Sequence, residues 1–282
     1  MLRGSRDVRS LGQSDRDEAL HLCRTNPAAN VYVAARILET NLDRSPGVLL
    51  GHCPGGQLQS LLWVSANVVP VRCGPAAVAA FAHRLRGQRD ACSSIFGPAT
   101  QVASLWDMLT LDWGAPLDLR MTQPLLAVTP QRLLGVAADS RVRRATLDEV
   151  DLVVTASAAM FTEEIGYPPF VDRASEVGYW GSVRSLIAKG HCFVVIENGQ
   201  LLFKADIGSV GIGTCQVQGV WVDPSRRGRG LAAPAMAGVV DLARQFAADL
   251  VTLYVNDYNA PAMATYRRVG FEPVGNFATV LV

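Results

Sequence analysis

Short apolar runs and amphipathic stretches alternate along the second half of the chain, from about residue 140 to its end. The apolar runs are rich in β-branched and aromatic residues and lack a helical period, so they predict β-strands. Two of them flank Asn198-Gly199, and an Asn-Gly pair between apolar runs is a strong hairpin signal. The predicted strands are RVRRAT (141–146), HCFVVIE (191–197), QLLFKADIGSV (200–210), VQGVWV (217–222), DLVTLYVN (249–256) and NFATVLV (276–282).

Four helices are predicted between these strands. Thr146 and Glu149 have the spacing of a capping box, which would open a helix that runs to about Met160. The segment MFTEEIGYPPF then predicts a loop, because Pro168-Pro169 excludes further helix. The other predicted helices cover about 174–189 before Gly190, the Ala-rich stretch that ends near 246, and a segment up to Gly270, its C-cap, with Pro261 in its first turn.

The first half, residues 1–139, predicts nearly the same order of elements as the second half. This order favours an internal repeat with a domain boundary between residues 139 and 140. An unrelated small α/β domain is the alternative. The predicted elements are helices at about 15–25 and 28–40, strands over 47–53 and 58–71, a helix over 75–85, a strand at SSIFG, a helix over 98–109 and a strand at PLLAV (124–128).

A basic, glycine-rich turn, Ser225–Gly230, separates the strand VQGVWV from the Ala-rich helix. The first N–H groups of a helix lack intrahelical acceptors and carry partial positive charge, so they attract anions. The two glycines of the turn let the backbone close around phosphate oxygens, and its three arginines add full charges. No Lys-Ser/Thr pair follows, as in a P-loop, and no x-x-G follows the G-x-G, as in a dinucleotide fingerprint. The turn therefore predicts a diphosphate site.

Arg227, Gly230 and Ala232 fill the three places of an R/Q-x-x-G-x-G/A motif, and in this the chain resembles the GNAT superfamily of acyl-CoA-dependent N-acetyltransferases. The following order of strand, Asn259, helix with Tyr266, Gly-Phe and strand is similar to the C-terminal half of a GNAT domain, over about residues 217–282. The resemblance implies an α/β (α+β) fold with a mixed, mostly antiparallel twisted sheet flanked by helices.

The resemblance also implies how the chain is divided. Residues 140–282 would be the acetyl-CoA-binding GNAT domain, and residues 1–139 a degenerate GNAT-like domain. The first half has only Arg72-Cys73-Gly74-Pro75 where the second has its phosphate turn. In layout the chain resembles the two-domain, actinobacterial mycothiol synthase type.

Acetyl-CoA is the co-substrate that the resemblance implies, with no metal. Its pantetheine arm would pair with the backbone of one strand, which also could polarise the thioester carbonyl. Asn259 could equally be an N-cap alone, and Trp221 an aromatic residue of the sheet face. The binding residues implied by the motif are Val220, Trp221, Val222, Arg227, Gly228, Arg229, Gly230, Leu231, Ala232, Ala233, Asn259 and Ala262.

Tyr266 matches the tyrosine that protonates the departing thiolate in the family, and a phenol is acidic enough for that step. Tyr266 also lies on an apolar face of its predicted helix, so a purely structural role in the core is the alternative. Gln216 stands where many members carry a basic Glu, and an amide has no useful basicity. The proton would then leave through water or through a carboxylate from elsewhere, for which Glu164 and its neighbour Glu163 in the predicted loop are the candidates. Tyr254 could touch the substrate. A solvated acidic loop end is the alternative for both carboxylates.

Composition narrows the class of protein. The chain has 282 residues, is 49% hydrophobic and 18% charged, and carries a formal net charge of +1, so no global charge favours nucleic acid or membrane. Six scattered cysteines without a C-x-x-C pair predict reduced core thiols and a cytoplasmic protein. The four histidines lack metal-ligand spacing. No apolar run reaches the length of a membrane span.

The leading interpretation is an N-acetyltransferase that moves an acetyl group from acetyl-CoA to a primary amine of a small molecule, peptide or protein. The alternative is an acyl-CoA-binding regulator with little catalysis, which Gln216 favours and Tyr266 disfavours. In a third interpretation Arg-Arg-Gly-Arg-Gly contacts nucleic acid, but the near-neutral charge of the chain disfavours it. The sequence does not identify the amine, and it does not distinguish a monomer from a homodimer.

Overall fold

A computed structural model of the chain describes residues 7–132 and 134–282. In this part of the chain two similar series of strands and helices follow one another. The strands are β1 (Val8–Ser10), β2 (Val48–His52), β3 (Ser60–Val64), β4 (Asn67–Val71), β5 (Ser94–Pro98), β6 (Asp118–Val128), β7 (Arg143–Arg144), β8 (Cys192–Glu197), β9 (Gln200–Gly211), β10 (Thr214–Val222), β11 (Leu250–Tyr254) and β12 (Glu272–Leu281). The α-helices are α1 (Arg16–Cys23), α2 (Pro27–Glu39), α3 (Pro75–Leu85), α4 (Ala99–Trp113), α5 (Val150–Ile165), α6 (Arg173–Ala188), α7 (Ala232–Phe246) and α8 (Ala260–Val269).

The described strands form one mixed sheet in the order β1-β2-β3-β4-β5-β12-β6-β11-β10-β9-β8-β7. Most neighbouring strands are antiparallel, as expected for the fold. The exceptions are β4 with β5 and β10 with β11, which run parallel. These two pairs occupy equivalent places in the two halves, and each lies beside the point where the halves meet.

The two halves exchange their last strands. The final strand of the chain, β12, pairs with β5 of the first half, while β6 of the first half pairs with β11 of the second. The two exchanged strands also pair with each other, from Glu272 opposite Ala127 to Leu281 opposite Asp118. Each half of the sheet is therefore completed by a strand from the other, and residues of β6 come to lie inside the second half.

Helices cover both faces of the sheet, so its strands are apolar on both sides. In the second half, α7 packs on one face around Met236 and Val240, and α5 and α6 pack on the other around Val153 and Ile187. In the first half, α1 and α2 cover one face and α3 and α4 the other. Apolar residues of β6 and β12 belong to these cores, which ties the exchanged strands to both halves.

Two sequence predictions need correction in detail. The apolar run 58–71 is a hairpin of two strands, β3 and β4, joined at Ser65-Ala66. The predicted loop after Met160 is wrong at its start, because α5 continues to Ile165 and ends at Gly166, which has φ +92°. The residues from Phe161 to Ile165 have ordinary helix propensity, and the prolines at 168 and 169 lie beyond the end that the left-handed glycine sets. Glu163 and Glu164 therefore belong to the last turn of a helix.

The cysteines of the described chain are all free thiols, and four of them are buried. Burial raises the pKa of Cys23 and of Cys215 to about 12, which keeps these thiols protonated and unreactive. In the described part of the chain no helix combines the length and the apolar character needed to cross a membrane.

The predicted capping box at Thr146 is confirmed. The Thr146 N–H donates to Glu149 Oε2 at 2.8 Å, and Arg143 Nη1 donates to the same oxygen at 2.9 Å. The hydrogen bond from Arg143 lowers the pKa of Glu149 from its usual value to about 2. The ionised carboxylate therefore stabilises the folded state.

Glu149→Ala is expected to lower the free energy of unfolding by about 1 kcal/mol at pH 7, as the loss of a helix cap does. Because the folded pKa is depressed, this contribution is complete above about pH 4.5 and is lost as the pH falls towards about 2. Urea unfolding at pH 7 and pH 3 measures the difference, with the exposed neighbour variant Asp148→Ala as control. A difference that stays constant between the two pH values would contradict the prediction.

Candidate functional site

The parallel strands β10 and β11 pair only at their beginnings. Thr214–Gln216 lie opposite Leu250–Thr252, and the two strands then separate. On its other edge β10 pairs with β9, with one register shift between Gln216 and Val217 and a bulge between Gln218 and Trp221, where Gly219 has φ +60°. A cleft of about 840 Å³ opens where the strands part. The backbone of β10 from Val217 to Val222 therefore borders an open space instead of a neighbouring strand.

The glycine-rich turn closes one end of this cleft. Gly228 has φ +72° and Gly230 has φ +82°, and a Cβ at either position would meet no atom within 4 Å. Among the described residues none accepts a hydrogen bond from the amide N–H groups of residues 228–233. No side chain caps α7 at Leu231. Free donors at a helix N-terminus are groups that can hold an anion such as a diphosphate.

All but one of the predicted catalytic and binding residues line the cleft. Arg229 is exposed and does not belong to its lining. Met160, Tyr258, Thr265 and Arg268 line it as well, and sequence reasoning did not find them, because no motif marks them. The predicted residues that line the cleft are Glu164, Val220, Trp221, Val222, Arg227, Gly228, Gly230, Leu231, Ala232, Ala233, Asn259, Ala262 and Tyr266.

Tyr266 projects from α8 to the cleft and is 7% exposed. Its ring packs edge-on against Phe271, with 5.8 Å between centroids. Among the described residues none forms a hydrogen bond with its hydroxyl. Burial, with a smaller contribution from the charge of Glu164, raises the pKa of Tyr266 above its usual value near 10. The phenol is thus a protonated donor at ordinary pH.

Asn259 lies at the start of α8, and its side-chain oxygen accepts from the Ala262 N–H at 3.2 Å. The N-cap interpretation of Asn259 is therefore correct. The side chain also lines the cleft, so its amide N–H₂ group can face a ligand while its oxygen caps the helix.

A second cavity of about 280 Å³ lies where the two halves meet. Four residues line both cavities, namely Gln123, Glu164, Gln218 and Tyr254. The first half contributes Tyr32, Asn67, Ser94, Phe96 and, from β6, Arg120 and Gln123. Because these residues come from four elements of the other half, no local sequence pattern could have identified them.

Hydrogen bonds hold the polar wall of the second cavity in place. Gln123 Nε2 donates to Asn256 Oδ1 at 2.8 Å, and the Thr279 hydroxyl donates to Gln123 Oε1 at 2.6 Å. Ser94 donates to Asn67 Oδ1 at 2.7 Å. The exchanged strands thus supply an ordered polar surface next to the cleft.

Tyr254 and Gln216 contribute polar groups to the second cavity from the second half. Burial raises the pKa of Tyr254 to about 12, with smaller contributions from Glu164 and Tyr32, so its hydroxyl stays protonated. Gln216, which the resemblance places where many GNAT members have a Glu, is buried and lines this cavity.

Glu163 and Glu164 lie in the last turn of α5 and face different partners. Arg227 Nη2 of the glycine-rich turn donates to Glu163 Oε2 at 2.8 Å. Arg120 Nη1 donates to Glu164 Oε1 at 2.7 Å. Glu164 reaches both cavities, whereas Glu163 lines only the cleft. Glu164 is therefore the carboxylate placed between them, with half of its side chain exposed.

The corresponding turn of the first half is built differently. There β4 and β5 also pair only briefly, at Asn67 and Val68, and Arg72 has φ +57°. The Cys73 N–H is already used, since it donates to Gln101 Oε1 at 2.7 Å, and Pro75 has no N–H to offer. Two of the donors that a phosphate would need are thus missing from this turn.

Two segments of the chain match known domain families. Residues 157–271 match the Acetyltransferase (GNAT) family, and residues 47–153 match a domain of unknown function, DUF4081. The mycothiol acetyltransferases of Clavibacter michiganensis subsp. michiganensis (strain NCPPB 382) and Clavibacter sepedonicus are 44% and 42% identical to this chain over 60 residues. That match spans 21% of this chain and 20% of the length of these curated relatives.

Solved structures share the fold along nearly the whole chain. A GNAT acetyltransferase from Colwellia psychrerythraea has a TM-score of 0.58 at 14% identity and covers 97% of this chain and 98% of its own. A tandem GNAT protein from the clavulanic acid biosynthesis pathway has a TM-score of 0.55 at 15% identity and covers 96% of this chain and 97% of its own. Likeness at this identity shows the fold alone. Residues 157–271 therefore match the acetyltransferase (GNAT) family behind a domain that matches DUF4081, and the fold of the whole chain is similar to that of a tandem GNAT protein.

Proposed function

We propose that the protein transfers an acetyl group from acetyl-CoA to the primary amine of a small molecule or peptide. One observation carries the proposal, namely the cleft between β10 and β11 that ends at the free amide donors of residues 228–233. A strand edge without a partner suits an extended, amide-bearing chain such as pantetheine, which can pair with it like an added strand. Six residues after the end of β10, the glycine-rich turn offers hydrogen-bond donors and positive charge for a diphosphate.

The chemistry divides between the two cavities. Acetyl-CoA supplies the activated acyl group as a thioester. Residues of β10, α7 and α8 would hold it in the cleft, with Val220, Trp221 and Val222 along the pantetheine arm. The amine would enter from the second cavity, because Glu164, Gln218 and Tyr254 border both spaces. The first half would then serve the reaction by forming the acceptor wall.

Each proton has an assigned place. As the amine nitrogen bonds to the thioester carbon and the C–S bond breaks, Glu164 takes the proton that leaves the nitrogen, directly or through one water. Tyr266 gives its proton to the sulfur that departs as thiolate. Arg120 keeps Glu164 directed at the second cavity through its 2.7 Å hydrogen bond. The backbone of β10 would polarise the carbonyl.

The second candidate is an acyl-CoA-binding regulator with little catalysis, and the buried Gln216 favours it. Measurement of thermal shift and thiol release from acetyl-CoA, with and without pools of amines, separates the two functions. Stabilisation together with amine-dependent thiol release is the result expected for a transferase. Stabilisation without release would leave the regulator, and no stabilisation would remove both proposals.

Glu164→Gln is expected to lower kcat/KM for the amine roughly 100-fold, as the loss of a general base does, while the Kd for acetyl-CoA changes little. Glu163→Gln is the matched control, since Glu163 is its neighbour in the same helical turn but pairs with Arg227 on the cleft side. An exposed ion pair contributes little, so this variant should stay within about threefold of the wild type. Equal activities of the two variants would show that the proton leaves by another route.

A further inference from the structure

Lys204 is one of only two lysines in the chain, and it is completely buried in β9. Its Nζ donates to Asp206 Oδ2 at 2.6 Å and to the Gly219 carbonyl at 3.2 Å. Asp206 is 6% exposed. A buried charge is costly unless it is paired and hydrogen-bonded, so this pair needs a physical explanation.

The pair lies across the bulge of β10. Asp206 is opposite Gln218 and Lys204 is opposite Trp221, and the register breaks between these two positions. Gly219 sits in the break with φ +60°, and a Cβ there would lie 2.8 Å from Asp206 Oδ2 and 3.2 Å from Lys204 Nζ. Position 219 therefore requires glycine for its backbone angle and for the space that the ion pair occupies.

The bulge sets the direction of one amide group. A trans peptide is planar, so its C=O and N–H point in opposite directions. Because Lys204 holds the Gly219 carbonyl, the N–H of Val220 is turned away from Lys204. Gly219 and Val220 both line the cleft.

We propose that Lys204 and Asp206 are positioning residues, which anchor the Gly219 carbonyl so that the Val220 N–H faces the thioester carbonyl of acetyl-CoA. This inference rests on the proposed function. Neither residue touches the ligand, since neither lines the cleft. They act through a single peptide plane at the place where β10 leaves β11.

A structural role predicts a different result. If the pair only filled the interior, replacing both charges by apolar residues of similar size would be neutral or stabilising and would leave activity intact. The double variant Lys204→Met/Asp206→Leu removes both charges together, so no unpaired charge is left buried. Lys189→Met is the matched control, because Lys189 is the other lysine and forms an exposed pair with Glu39 at 3.1 Å.

The test measures kcat with an active amine and the Kd of both CoA and acetyl-CoA by calorimetry. The double variant should lose roughly 10- to 100-fold in kcat, as when a carbonyl-stabilising donor is weakened, while CoA binds within about threefold of the wild type. It should also lose any preference of the wild type for acetyl-CoA over CoA. Lys189→Met should match the wild type in all three values.

Two results would overturn the inference. A double variant with the kcat of the wild type would show that the pair is only structural. So would a double variant that loses as much affinity for CoA as it loses in kcat, because that result would mean that the cleft has collapsed. The proposed function would stand in both cases, because the wild type remains active. A wild type that neither binds acetyl-CoA nor transfers its acetyl group would overturn both.

A measurement on the wild type alone covers the case of a double variant that does not fold. The Val220 amide resonance should shift when acetyl-CoA is added, and by much less with CoA, which lacks the acetyl carbonyl. Equal shifts with both ligands would overturn the inference.

Discussion

Gly230→Asp is expected to abolish the stabilisation of the protein by acetyl-CoA and to raise the Kd about 100-fold or more. The substitution places a carboxylate among the free N–H groups of residues 228–233, where the diphosphate would bind. Charge-assisted hydrogen bonds contribute about 1.5–3 kcal/mol each, and each 1.4 kcal/mol is tenfold in affinity. Thermal shift against acetyl-CoA concentration gives the change, and calorimetry gives the Kd.

Gly199→Asp is the matched control for this substitution. Gly199 has φ +75° in the hairpin between β8 and β9, and a Cβ there also meets nothing within 4 Å. Both variants therefore carry an L-residue in a left-handed conformation, and they share the backbone strain. Only the variant in the turn should lose the ligand. A Gly230→Asp protein that is still stabilised by acetyl-CoA would show that the turn is not the diphosphate site.

Tyr266→Phe is expected to lower kcat roughly 100-fold, which is the lower end of what general acid–base catalysis contributes. The ring and its contact with Phe271 are kept, and the hydroxyl forms no hydrogen bond with the described residues. Stability and the Kd for acetyl-CoA should therefore change little. Steady-state kinetics, thermal unfolding and calorimetry on the same preparation measure the three quantities.

The pH dependence sharpens this prediction. Because burial raises the pKa of Tyr266, the phenol should stay protonated up to at least pH 10, and activity should not fall below that pH through its ionisation. Tyr179→Phe is the control, since Tyr179 of α6 packs against Phe170 with 5.7 Å between ring centroids and lines neither cavity. A Tyr266→Phe enzyme with the turnover of the wild type would mean that Tyr266 is only part of the core.

The strand exchange brings residues of the first half next to residues of the second half. Arg120 and Gln123 belong to β6, yet they lie beside Glu164 and Asn256 of the second half. Under the proposed function, the first half would supply a wall of the acceptor site, although its own turn lacks two of the donors that a phosphate would need. Because of this exchange, each half completes its part of the sheet with a strand from the other half.

The sequence alone determined the local features of the site. The turn between β10 and α7, the capping box at Thr146, the Asn198-Gly199 hairpin and the Gly270 C-cap depend on neighbouring residues, so their signals are contiguous in the chain. The motif around Arg227 and the place of Tyr266 in the last helix were also read from contiguous stretches of the sequence. The structure confirms the fold that these signals predicted, and residues 157–271 match the GNAT family, while the roles of the individual residues remain predictions.

Only the tertiary structure decided which distant residues meet. The local pattern predicted a loop at Glu163, but the end of α5 is set by the left-handed Gly166, and partners 44 and 64 residues away hold the two carboxylates. The second cavity joins Tyr32, Ser94 and Arg120 to Tyr254 through strand exchange, and the bulge at Gly219 is held by a lysine from the neighbouring strand. Side chains brought together by sheet order leave no periodic trace in the chain, because strand pairing is a long-range choice made by the whole core.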